Sequence, residues 1–288
     1  MNDLYGIDPA APENLTDLSH LIGKFEVADG RFIADLPVPW ISQVREKLRP
    51  LLSQEDFHEA VEWLRVASRS TLPTEVAFDS RLPWTENASS LIGKVVALVG
   101  PRGCNQLAVP IDKMLVERKR FPNASGGHIA RTPTDYATVA RPLLQTSPKI
   151  VLIDPFFKLR YLDERTKSIK VSSRHQLSLG ALLSEAAKWR RVEYFELWVS
   201  PAQAFLKDQS EFENDLKSLV ANCAPGVAWR YEPLDKQYST DRHPRYLLGM
   251  ERGLQFDWGF DIDNYGPTTN HVHWMGEEEL KPLLQRFT

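Results

Sequence analysis

Apolar positions change their spacing partway along the chain. Up to about residue 93 the pattern is helical where it is regular at all. Two helical stretches lie there, and in the second Phe57, Ala60, Val61, Leu64 and Ala67 make one stripe behind Ser53, a suitable N-cap. Before them, KFEV-ADGR-FIADL predicts a hairpin, because Asp29-Gly30 supplies the positive φ angles of a tight turn. The opening residues, acidic and Pro-rich, predict a loosely held arm, and TLPTEVAFDSRLPWTENASSL a connector.

From Lys94 the text alternates between strands and helices. KVVALVG predicts a buried strand, and residues 111–119 a helix with Ile111, Met114, Leu115 and Arg118 in register. FPNASGGHIARTP predicts a loop that Gly126-Gly127 makes mobile. Pro133, after the cap Thr132, opens a helix burying Tyr136, Val139, Ala140 and Leu143, which Pro142 should kink or shorten. KIVLID is a continuous apolar run of the kind a parallel sheet buries on both faces, with FELWV and VAWRY as its successors. Between these strands, Leu179, Leu182, Leu183, Ala186 and Trp189 share one helix face. A second helix, started by the capping box Ser210-Glu211-Phe212-Glu213, buries Phe212, Leu216, Leu219 and Val220 and stops at Gly226. RYLLG and LQFDWGF predict paired strands, the latter turning Leu254, Phe256, Trp258 and Phe260 to one side, and EEELKPLLQRF predicts an amphipathic helix.

Strand–helix alternation with short links predicts an α/β fold: a mixed, largely parallel sheet flanked by helices over residues 94–288. Residues 1–93 are expected to form a mainly helical region with a small hairpin. Ligands of such sheets sit beyond the carboxyl ends of the strands, where Asp154, Ser200 and Glu232 fall. His243 joins that rim if the strand after it runs antiparallel.

Composition adds mostly exclusions. The 288 residues are 42% hydrophobic and 25% charged with net charge −3, so nucleic-acid binding requires a local basic patch. Two distant cysteines predict a reducing compartment and no disulfide framework. No leader pattern and no apolar run near the ~20 residues of a bilayer span is present, so a soluble, cytoplasmic protein without membrane insertion is expected. No cofactor is expected: Gly100-Pro101-Arg102-Gly103 follows a strand but lacks the Gly-Lys-Ser/Thr of a phosphate loop. Nor is a metal. His271 and His273 make only a pair, Val272 stands where an EF-hand over Asp257, Asp261 and Asp263 needs Glu, and Asp112 lies too close to Glu117 and Lys119 for a nuclease strand pair.

Candidate chemistry concentrates in Asp241-Arg242-His243-Pro244-Arg245. A His and a cation two apart on a strand point the same way, which suits a phosphodiester: the imidazole attacks or protonates while the guanidinium holds non-bridging oxygens. On the dipeptide alone, a surface His-x-Arg that caps a strand is the better reading. A second cluster, Lys158, Arg160, Arg165, Lys167, Lys170 and Arg174-His175 with Phe156, Phe157 and Tyr161 interleaved, reads either as a phosphate-tracking loop or as a solvated one diluted by Asp163 and Glu164. His128, in the Gly-Gly loop, is a further candidate to approach His243.

In order and spacing, Asp154-Pro155-Phe156, His243-Pro244-Arg245 and Gly259-Phe260-Asp261 resemble the phospholipase-D-like superfamily, above all its divergent branch with the C-terminal domain of MIT-containing proteins. The resemblance covers a little under half the chain. It implies a site of His243 and Arg245, phosphate contacts from Arg242, Arg245, Lys158, Arg160, Lys170 and Arg174, and rim residues Asp154, Asp261, Asn264 and His128. Against the catalytic pattern, Arg245 replaces Lys, Met250 stands in the place of an Asp, Phe260 replaces Ser after Gly259, and Asn264 falls one residue late. Arg still grips phosphate bidentately, so the expectation is a catalytically degenerate module. It would bind nucleic acid or another phosphate-bearing ligand within a larger complex, of the defence or mobile-element kind the family implies. Two alternatives stay open: a phosphodiesterase or nuclease with His243 as nucleophile in a homodimeric site, and a protein–protein adaptor docking a larger complex through the aromatics of 254–260 and the N-terminal arm.

Overall fold

The computed structural model describes residues 2–104, 107–116, 126–163, 165–171, 173–204, 208–234, 245–262 and 268–287. The α/β class holds throughout, in two units, residues 1–125 and 126–288, each with its own sheet.

The first unit departs from the expected helical region. Its strands β1 (Asp3–Ile7), β2 (Arg31–Asp35), β3 (Thr71–Pro73), β4 (Ala97–Gly100) and β5 (Val109–Pro110) form one parallel sheet in the order β3-β2-β1-β4-β5. Helices α1 (Leu15–Ile22), α2 (Trp40–Leu48), α3 (Gln54–Ala67), α4 (Trp84–Ala88) and α5 (Ile111–Val116) accompany them. Tyr5, Ile7, Ile33 and Val99 face the core holding Leu18, Val44, Leu64 and Met114, while Ala34, Leu36 and Leu98 face Trp84 and Ala88, so both faces of the sheet are covered. The supposed arm therefore contains the central strand. Proline-rich text marked the loop after β1 and hid the short strand before it. The expected hairpin is absent as well. Gly30, at φ 66°, closes a 3-10 turn over Val27–Asp29, and β2 pairs with β1 in parallel instead of folding back on KFEV. KVVALVG belongs to this sheet as β4, which moves the boundary from residue 93 to 125.

The second unit runs β6 (Gly126–Ala130), α6 (Pro133–Leu144), β7 (Lys149–Ile153), β8 (Arg160–Asp163), β9 (Ser168–Val171), α7 (Ser173–Trp189), β10 (Tyr194–Val199), α8 (Pro201–Ala204), α9 (Gln209–Cys223), β11 (Ala228–Pro233), β12 (Arg245–Leu248), β13 (Gly253–Phe256), β14 (Thr269–Trp274) and α10 (Glu277–Phe287). Its main sheet has the order β11-β10-β7-β12-β13-β14-β6, and β8 with β9 makes a separate hairpin. Only β7, β10 and β11 are mutually parallel; from β12 onward every pairing is antiparallel, so this sheet is mixed.

Local signals account for much of it. Ile150, Val151, Leu152 and Ile153 are all buried, as a strand covered on both faces requires. Thr132 caps α6 by accepting from the Asp135 N–H, and α6 ends at Leu144, just past Pro142, whose ring nitrogen has no proton for the helical ladder. The cap of α9 is Asp208, not Ser210, although Phe212, Leu216 and Val220 are buried as expected. Gly126-Gly127 lies in an edge strand rather than a loop: a Cβ on Gly126 would meet His273 Cβ at 3.0 Å, so β14 approaches too closely for a side chain. On one face α10 packs Leu280 and Phe287 over Val151, Ile153 and Leu248.

Candidate functional site

Where β7 meets β12 the sheet changes from parallel to antiparallel, and two charged residues face each other there. The chain leaves β7 at Asp154 and enters β12 at Arg245, and pairing of Tyr246 with Ile153 sets them side by side on the rim. Asp154 is fully buried. Its Oδ1 accepts the Phe156 N–H at 3.0 Å, which tightens the turn after β7, and its Oδ2 accepts the Phe260 N–H at 3.1 Å. Arg245 Nε stands 3.8 Å from Asp154 Oδ1, its Nη1 donates to the Asp257 carbonyl at 3.1 Å, and its guanidinium lies 4.8 Å over the Phe156 ring. The buried Nε has no hydrogen-bond partner among the described residues.

The segment 257–261, which closes the rim, is pinned from beneath. Fully buried Asn270 accepts the Trp258 N–H and donates to the Trp258 carbonyl, both at 2.9 Å, and donates to the Tyr136 hydroxyl at 3.2 Å. Tyr136 in turn donates to the Gly259 carbonyl at 2.9 Å, and burial raises its phenol pKa. Gly259 leaves room for the carboxylate, since a Cβ there would stand 3.0 Å from Asp154 Oδ2. Arg131, almost fully buried, forms an ion pair with Asp261 and donates through Nε to its carbonyl at 3.3 Å. Beside this frame, at the start of α7, His175 is 5% exposed, meets Phe157 edge-on at 4.9 Å and has no hydrogen-bond partner for Nδ1 among the described residues. Burial lowers its pKa against the pull of the carboxylates of Asp154 and Asp261.

Of the residues singled out from the sequence, Asp154, Arg245 and Asp261 come together here. Arg242, His243 and Asn264 lie outside the described residues. Two cations of the basic loop are engaged in ion pairs, while Arg165 and Lys167 are exposed. Arg160 turns to α9, bonding Asp215 at 2.6 and 3.0 Å and Glu211 at 2.9 Å, and Lys170 pairs across the β8–β9 hairpin with Asp163. Lys158 and Arg174 are half-buried, and their charges depress the pKa of His175. His128 sits exposed on β6, at the other edge of the sheet from β11, with its ring 5.2 Å from that of its register partner His271; His243, which it was expected to approach, lies outside the described residues. Among the described residues no set of three or more His, Cys, Asp or Glu is arranged to hold a metal. No described helix is long and apolar enough to cross a membrane.

The departures from the catalytic pattern have structural counterparts. Met250 lies in the exposed turn at the opposite end of β12 from Arg245, and Phe260 packs in the core 4.4 Å from Phe256. The adaptor alternative needed an aromatic face over 254–260, but Leu254, Phe256 and Phe260 are buried and only Trp258 is exposed. Sequence reading overlooked Tyr136, Arg131 and Asn270 as parts of the rim: Tyr136 reads as a core residue, and Arg131 and Asn270 carry no local signal. His175 reads there as a member of the basic loop that follows the Asp154 strand. A cavity of about 650 Å³ between α9 and β11, lined by Trp229, Tyr231 and Glu213, is separate from this rim.

No family model matches the chain, and no curated protein does. Among solved structures, TrmBL2, described as an archaeal chromatin protein with a novel mode of DNA binding, aligns with 72% of this chain and 80% of its own at 9% identity and a TM-score of 0.29. A likeness that low bears on neither fold nor function.

Proposed function

We propose that the second unit is a phospholipase-D-like module that binds a phosphate-bearing ligand, nucleic acid before lipid, without turning it over, as part of a larger complex. The observation that carries this reading is Arg245. It stands beside the carboxyl end of β7, and open α/β sheets bind ligands beyond the carboxyl ends of their parallel strands. Asp154, the Asp257 carbonyl and the Phe156 ring orient its guanidinium, so little side-chain entropy is left to lose when an oxyanion binds. Binding without cleavage fits the loss of the polar companions at Met250 and Phe260.

The test is fluorescence anisotropy of the full chain with labelled oligonucleotides over a range of salt, comparing wild type with Arg245→Ala. Loss of one phosphate contact should weaken binding at every sequence and reduce the slope of log K against log salt by about 1. Equal affinity and equal slope in the two proteins would remove Arg245 from the site. Oligonucleotide cleavage that disappears in His243→Ala would replace binding by catalysis.

A further inference from the structure

Trp258 is 47% exposed, yet the backbone that carries it is held by hydrogen bonds to buried side chains. Both its N–H and its carbonyl are bonded to the buried amide of Asn270, the next carbonyl accepts from Tyr136, and the next N–H but one is bonded to Asp154. Its neighbours in the alternation, Phe256 and Phe260, are fully buried. The chain thus holds its largest side chain out in water on a rigid support, where the hydrophobic effect alone would bury it. One peptide away, Arg245 donates to the Asp257 carbonyl, so a guanidinium and an open indole flank the same peptide group.

We infer that Trp258 is a stacking platform for a base, and that the rim takes single-stranded nucleic acid, with a phosphodiester on Arg245 and an adjacent base on the indole. This rests on the reading of Arg245 as a phosphate contact. Electrostatics alone favour no polyanion here, because Asp154, Asp257 and Asp261 offset Arg245 and Arg131. A second, uncharged contribution is needed, and a flat π surface supplies it to any unpaired base. Paired bases within a duplex keep their faces stacked on each other, and a lipid phosphate has no π face to offer.

The full chain is titrated against four probes: a labelled 12-mer of single-stranded DNA, the same backbone with abasic spacers, a duplex, and phosphatidylserine vesicles. Wild type should bind the 12-mer best. Trp258→Ala should weaken it about tenfold or more while leaving the abasic strand unchanged, and Trp258→Phe should retain most of the affinity. Arg245→Ala should weaken the 12-mer and the abasic strand alike. Equal binding of 12-mer and abasic strand, or no change in Trp258→Ala, overturns the stacking platform while Arg245 stands; so does a preference for duplex or vesicles. No effect of Arg245→Ala on any probe overturns the phosphate site and the inference with it. About half of the indole is covered, so the Phe variant guards against a local collapse in the Ala one.

Discussion

Asp154→Asn tests the rim with the least change of shape. The carboxylate is fully buried and offers one oxygen to Phe156 N–H and the other to Phe260 N–H, with Arg245 at 3.8 Å. In the amide, one oxygen becomes an NH₂ group that must face one of those two backbone donors. A hydrogen bond to a charged acceptor contributes roughly 1.5–3 kcal/mol, and a buried donor left unpaired costs roughly 1–3 kcal/mol. Arg245 also loses its counter-charge, and breaking a buried ion pair from one side costs about 3–5 kcal/mol. These contributions share one carboxylate and overlap, and at 3.8 Å the pair sits at the weak end. The expected destabilisation is therefore about 3 kcal/mol. In urea, with a slope of about 2 kcal/mol/M, the midpoint of the second unit should fall by about 1.5 M. Exchange of the Phe156 and Phe260 amide protons identifies that unit's transition and should accelerate by about two orders of magnitude. Combined with Arg245→Met, the two changes should couple by about 1 kcal/mol. A shift below about 0.5 kcal/mol, or strict additivity with Arg245→Met, would refute the view that Asp154 organises this corner.

Two further predictions probe the same frame. Asn270→Asp is nearly isosteric but has no proton to donate to the Trp258 carbonyl or the Tyr136 hydroxyl, and it buries a charge. It should cost about 3 kcal/mol in urea unfolding, whereas wild-type-like stability would mean that the amide is not the post holding 257–261. His175 should make stability depend on pH. Its folded pKa lies below the ordinary 6.5, so on acidification the unfolded chain takes up the proton first. The stability is complete above about 6.5 and is lost as pH falls from there through the folded pKa. His175→Phe, which keeps the edge contact with Phe157, should flatten that part of the unfolding curve. An unchanged pH slope would show that the imidazole binds its proton equally in the native and unfolded states.

Much of the second unit was readable because its decisive signals are local. The run Ile150 to Ile153 needs no partner to be recognised as a buried strand, and Thr132-Pro133 opens α6 whatever lies around it. Asp154 and Arg245 could be placed at strand ends for the same reason, and their meeting needed only the antiparallel sense of β12. Where the reading failed, the cause is long-range. Five residues ending in Asp8-Pro9 say little about a strand; β1 is central because Arg31–Asp35 and Ala97–Gly100 arrive on either side of it. Arg160 and Lys170 looked like a phosphate-tracking pair because their neighbours in sequence are basic, but a helix that begins at Gln209 supplies Asp215 to the first, and a hairpin turns Asp163 toward the second.

The same distinction separates the two kinds of residue at the rim. Of those that would touch a ligand, Arg245 opens a strand and one strand's pattern is enough to place it, whereas Trp258 lies past β13 and leaves the buried side to which alternation assigns it with Phe256 and Phe260. Those that hold them rigid act across the fold: Asn270 reaches Tyr136 over 134 positions, and Phe260 reaches Asp154 over 106. A buried amide or carboxylate must have its polar atoms satisfied wherever the chain can supply partners. The supporting shell is therefore fixed by the closed sheet, not by any segment of it. A contact residue transplanted without that shell would keep its chemistry and lose its geometry. For this reason the variants at Asp154 and Asn270, which touch no ligand, should weaken oligonucleotide binding along with stability, while Trp258→Ala should weaken binding alone.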